Sequence, residues 1–121
     1  MYARINSLKT NNPNLKVMLV LGGWTDSGDD TYSRLVADAR ARSMFVSHAA
    51  IFLKGYGFDG LHFDWQYPVC WQADCSKGPA SDRTNYPDLV KVNLDEMTAN
   101  YVVNNNNSSI IYRTGVETRI H

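Results

Sequence analysis

The chain has 121 residues, enough for one small domain with a hydrophobic core. Apolar residues make up 44% and charged residues 20%, an ordinary globular balance that excludes disordered and fibrous classes. Twelve Lys and Arg cancel twelve Asp and Glu, so no net field favours nucleic acid or an anionic membrane, and neither is expected as a partner.

In chain order, residues 3–10 read as the end of a helix closed by the turn TNNPN at 10–14. LKVMLVL at 15–21 is a nearly continuous apolar run, as in a parallel strand covered on both faces. Its core is far too short to span a bilayer, and the N-terminus MYARINSLK lacks the apolar centre of a signal peptide. The strand ends in Gly22-Gly23-Trp24, and the polar loop TDSGDD follows. A helical stretch comes next, with Asp29 or Asp30 as N-cap. Its apolar face uses Leu35, Val36, Phe45, Val46, Ala49, Ala50, Phe52 and Leu53. The phase shifts near Ser43, which allows two short helices, and Gly55 and Gly57 end the stretch. Asp26, Asp29 and Asp30 lack EF-hand spacing and read as a solvated helix start.

FDGLHFDW at 58–65 reads as a second strand. Alternation sends Leu61, Phe63 and Trp65 to one face, and Gly60, His62, Asp64 and Gln66 to the other. A loop from Tyr67 to Asn85 follows, then a helix over 86–97 that buries Tyr86, Leu89, Val90, Leu94 and Met97, with Pro87 in its first turn. Cys70 and Cys75 enclose four residues. A disulfide there would add about 2 kcal/mol by the chain-entropy argument, and two free thiols in a reducing compartment are the alternative. With no second cysteine pair and no suitably spaced histidine, no metal is expected, and His62 reads as a pocket histidine. From about residue 98, ANYVVNNNNSSIIYRTG holds two short β-prone runs around four asparagines, a weak hairpin or an unstructured tail. Asn106 and Asn107 begin glycosylation sequons.

Strand–helix–strand–helix order is the grammar of a parallel α/β fold, and neither GxGxxG nor GxxxxGK[ST] follows a strand. Polar groups at successive strand ends suit a (β/α)8 barrel, of whose eight strands these two are a quarter. Two strands alone would leave two open sheet edges.

FDGLHFDWQYP at 58–68 resembles the signature of glycoside hydrolase family 18, the chitinases, whose pattern DxxDxDxE is commonly read as FDGLDFDWEYP. LKVMLVLGGW is similar to that family's third barrel strand, and YPVCWQADCSKGPASD to a loop of arthropod multidomain chitinases. The resemblance covers about residues 2–92 and implies a fragment of a TIM barrel, strands three and four with their helices; 93–121 is a divergent tail. By that resemblance Asp59 is structural, and His62 stands where the family has Asp. Asp64 is the retained carboxylate that orients the N-acetyl group, and Gln66 replaces the general acid Glu. Trp24 and Tyr67 border the sugar cleft, with Trp71 a further candidate. No cofactor is implied. The expected partner is chitin or N-acetylglucosamine oligosaccharide, in an extracellular setting. The implied function is sugar binding with catalysis lost. Residual chitinase activity in a full domain, and a truncated product without independent function, are the other readings.

Overall fold

The computed structural model describes residues 1–96, 101–105 and 109–113, with side chains through Lys91. Helix α1 (Tyr2–Asn6) runs into a short 3-10 turn (Ser7–Thr10). Strand β1 (Met18–Gly22) is followed by a 3-10 turn (Thr25–Gly28), helices α2 (Thr31–Ala37) and α3 (Ala39–Tyr56), and strand β2 (Gly60–Asp64). Then come α4 (Asp82–Glu96), β3 (Tyr101–Asn105) and β4 (Ser109–Arg113). β1 and β2 are parallel, in register from Met18 opposite Gly60 to Gly22 opposite Asp64. On the other side of β2 lies β4, antiparallel, and β3 pairs antiparallel with β4.

The helix-facing side of the parallel pair is the core. Leu61 and Phe63 of β2, with Trp65 just beyond it, are buried on that side against Tyr32, Val36, Val46, Leu53 and Leu89. Tyr32, Phe63, Trp65 and Tyr86 stack edge-on or tilted, with centroids 5.1–5.9 Å apart. The opposite face carries Val20, His62 and Asp64. Val20 is 56% exposed, so β1 is covered on one face, not two.

Two helix boundaries differ from the sequence expectation. The long helical stretch breaks at Asp38, not near Ser43. There the backbone turns extended, and the carboxylate accepts from Arg40 N at 2.7 Å and Ala41 N at 3.0 Å, starting a new helix at once. At the start of α2 it is Asp29 whose side chain accepts from Thr31 N, at 2.9 Å, while Asp30 occupies the N-cap without a side-chain bond to the helix backbone and pairs instead with Arg34 Nε at 3.2 Å. Gly57 closes α3 in the left-handed conformation, whereas Gly55 lies inside the helix. Helix α4 begins at Asp82, four residues before the expected Tyr86, so Pro87 lies inside it and not in its first turn.

The early start of α4 follows from Asp82 itself. This carboxylate is fully buried and accepts from Ser33 Oγ (2.6 Å), Val69 N (3.0 Å) and Trp71 Nε1 (3.0 Å). Three donors and the favourable end of the helix dipole offset the cost of removing it from water. One side chain thereby ties α2, the loop after β2 and the first turn of α4. Asp59 does comparable work where β2 begins. Its Oδ2 accepts from Val17 N at 2.7 Å and pairs with Lys9 Nζ at 2.5 Å, while Asp59 N donates to Val17 O at 2.8 Å. Burial pushes its carboxyl up, but Lys9 and the Val17 amide outweigh this and hold it below the ordinary value.

Leu94, Met97 and the sequons at Asn106 and Asn107 lie outside the residues whose side chains are described. β4 covers the outer side of β2, so among the described residues the two edge strands of the sheet are β1 and β3.

Two outcomes follow for stability. Replacing Asp82 with Ala strands three donors and should lower unfolding free energy by about 3 kcal/mol in urea titration. Because the folded pKa of Asp59 is lowered, its stabilising contribution is complete above the ordinary aspartate range. It disappears as pH falls through the lowered value. Acid unfolding followed by circular dichroism should therefore move to higher pH in Lys9→Met.

Candidate functional site

The C-terminal ends of β1 and β2 meet at a backbone junction. Gly22 and Gly23 both have positive φ, 111° and 103°. Gly23 N donates to Asp64 O at 2.7 Å. A Cβ on Gly22 would overlap that same Asp64 carbonyl, so the glycine is required by both conformation and space. The turn then delivers Trp24, which is 51% exposed, into the 3-10 turn Thr25–Gly28.

Asp64 ends β2, and Gln66 follows two residues later on the same face. The Gln66 amide nitrogen lies 3.0 Å from each carboxylate oxygen of Asp64. A carboxylate accepts and does not donate, so the amide turns its NH2 toward Asp64 and its carbonyl away. Ser27, which the sequence reading passed over, is fully buried and holds the backbone beneath them. Its hydroxyl accepts from Gln66 N at 2.8 Å and donates to Gly23 O at 2.7 Å. Gln72 N donates to Gln66 O at 2.8 Å, and its side-chain Nε2 donates to Trp24 O at 3.0 Å. Neither residue carries a periodic or compositional signal. Their roles arise from turns that bring residues 39 and 48 positions apart together.

His62 shares a face with Asp64 and stands beside Val20 in the strand register. Its Nε2 is shielded from solvent and has no hydrogen-bond partner among the described residues. Asp59 sits at the other end of the strand, on the order of 16 Å from Asp64 along an extended chain, and belongs to the Lys9–Val17 cluster. Tyr67 is 36% exposed beside Gln66. Trp71, expected with the cleft aromatics, is instead buried at 8% exposure, because its indole N–H is committed to Asp82. It offers no open ring face. Cys70 and Cys75 form a disulfide that frames the short loop carrying Trp71 and Gln72. Burial, with the charge of Asp26 and a 3.5 Å contact to its carboxylate, pushes the Tyr32 phenol up to about 12. Among the described residues no group of three or more His, Cys, Asp or Glu could hold a metal ion.

The arrangement is thus an open shelf at the strand ends: one carboxylate, one amide donor locked to it, and two partly exposed aromatic rings.

Comparison with known proteins places the chain in a family. The family model for glycosyl hydrolases family 18 matches residues 1–111. Over 85 residues the chain is 52% identical to "Probable chitinase 10" of Drosophila melanogaster, covering 70% of this chain and 4% of that protein. Over 90 residues it is 41% identical to "Probable chitinase 2" of the same organism, covering 74% of this chain and 17% of that protein. Among solved structures, catalytic domain 2 of the Ostrinia furnacalis Group II chitinase aligns with a TM-score of 0.72 at 53% identity, covering 76% of this chain and 24% of that one. A mutant of that domain was crystallised in complex with penta-N-acetylchitooctaose, (NAG)5. The chain therefore spans only a small part of these relatives. Its parallel strands and covering helices are part of a TIM barrel, and the chain belongs to the glycosyl hydrolases of family 18.

Proposed function

We propose that this chain carries the third and fourth strands of a chitinase-like barrel, and that its site binds N-acetylglucosamine oligosaccharides without hydrolysing them. In this reading residues 1–92 carry the family motifs and 93–121 diverge from them, the family model itself matching as far as residue 111. The observation that carries the reading is the Gln66 amide held 3.0 Å from both oxygens of Asp64. Substrate-assisted hydrolysis uses the sugar's own acetamido oxygen as nucleophile, so the protein supplies two things. One is a negative group beside the acetamido, the position we assign to Asp64. The other is a proton for the leaving oxygen, and Gln66 has no ionisable acid with which to deliver it. Loss of general acid catalysis costs about 10²–10⁴ in rate, or roughly 3–5 kcal/mol of barrier.

Binding needs less. The Gln66 amide donates to both Asp64 oxygens and leaves its carbonyl to accept from a sugar hydroxyl, and the exposed faces of Trp24 and Tyr67 suit the apolar faces of pyranose rings. His62 replaces an anion next to Asp64 with an imidazole, a change that alters the charge of the pocket but leaves the aromatic shelf intact. We assign Asp59 a structural part, supported by its ties to Lys9 and Val17. The disulfide suits an oxidising, extracellular setting, as for a protein meeting chitin outside cells. No helix among the described residues is long and apolar enough to cross a membrane.

Calorimetric titration with chitin hexamer, with hydrolysis assayed in the same solution, tests this. Binding without cleavage is expected, and a His62→Asp, Gln66→Glu double variant should gain at least about 100-fold in hydrolysis. Cleavage by the native protein would sink the reading, since another group would then be delivering the proton. Trp24→Ala should weaken hexamer binding about tenfold with little change in the unfolding midpoint.

A further inference from the structure

The tip of the disulfide loop reaches back to the end of β1. Gln72 lies between Cys70 and Cys75 with φ of +50°, and it makes two hydrogen bonds to the site. Its backbone N–H holds Gln66 O at 2.8 Å, and its side-chain amide holds Trp24 O at 3.0 Å. The amide rests over Gly28, where a Cβ would come within 3.0–3.1 Å of all three of its terminal atoms. Lys77 Nζ stands 3.5 Å from Oε1, a positive charge at the oxygen end that keeps Nε2 aimed at Trp24. With Ser27 bridging Gln66 N and Gly23 O, the contacts close a ring that links Gly23, Trp24, Ser27, Gln66 and Gln72.

We propose that Gln72 is a positioning residue: its side-chain amide fixes Trp24 relative to Gln66 and so sets the spacing between the aromatic shelf and the polar pair. This rests on the sugar-binding reading above for its consequence, but not for its geometry. The Trp24 carbonyl accepts from Ser27 N within its own turn at 3.2 Å, and the Gln72 amide reaches the same carbonyl from outside that turn. A longer or shorter loop between the cysteines would move the shelf, which makes this loop a determinant of the oligosaccharide the site accepts.

Gln72→Glu keeps the shape and replaces the donor with an acceptor facing the Trp24 carbonyl. Gln72→Met removes the polarity altogether and guards against misfolding of the first variant. Trp24 is 51% exposed, whereas Trp65 and Trp71 are 0% and 8% exposed, so acrylamide quenching of indole fluorescence reports on Trp24. Both variants should quench more readily than the native protein with no sugar present. With chitin hexamer they should bind about 5- to 10-fold more weakly. That loss should vanish in a Trp24→Ala background, where a merely structural role would persist. Unchanged affinity in both variants, or an equal loss with and without Trp24, overturns the assignment. If the native protein does not bind hexamer, the sugar reading falls. Gln72 is then judged on quenching alone, where an unchanged value overturns its hold on Trp24 and an increase upholds it.

Discussion

A single backbone hydrogen bond, from Gly23 N to Asp64 O at 2.7 Å, carries the geometry of the functional end of the molecule. It extends the parallel ladder one step past the end of β1, at the point where the chain must also turn sharply toward Trp24. Such an approach is open only to a residue without a side chain, and Gly22 fills that place against the Asp64 carbonyl. The site residues depend on it in sequence. Asp64 is fixed because its carbonyl is held, Gln66 because its N–H reaches a serine on the same turn, and Trp24 because the turn leaves the strand at a set angle.

A second layer of support comes from below. Asp82 gathers a serine of α2, the backbone of Val69 and the indole of Trp71 around one buried carboxylate. The disulfide loop is consequently anchored at its base by Asp82 and at its tip by Gln72. Val69, Gln72 and Ala73 all have positive φ, an arrangement non-glycine residues adopt only when surrounding contacts enforce it. At Gln72 those contacts, to Gln66 O and Trp24 O, are also the ones that reach the aromatic shelf.

Much of this was legible from pattern. Alternation along 58–66 separated Leu61, Phe63 and Trp65 from His62 and Asp64, because a strand with one face against helices must segregate them. Gly22-Gly23-Trp24 marked the end of the first strand before a polar loop. Besides the helix break at Asp38 and the single covered face of β1, other features escaped. Trp71 looked like a surface ring, since nothing local says that its N–H will be claimed by a carboxylate 11 residues on. The start of α4 was set late because Pro87 read as a first-turn residue, while the actual start is imposed by Asp82 through tertiary contacts. Ser27 and Gln72 were invisible because their partners are remote in the chain and their own neighbourhoods are ordinary polar loop.

The antiparallel pairing of β4 with β2 has a consequence for any longer form of this polypeptide. The outward N–H and C=O groups of Gly60–Phe63 can be satisfied by one neighbour at a time. In a (β/α)8 barrel each strand has parallel neighbours on both sides. A barrel strand arriving at that edge would therefore have to evict the hairpin. Hairpin and closed barrel are competing tenants of the same row of backbone groups, and occupancy by one excludes the other.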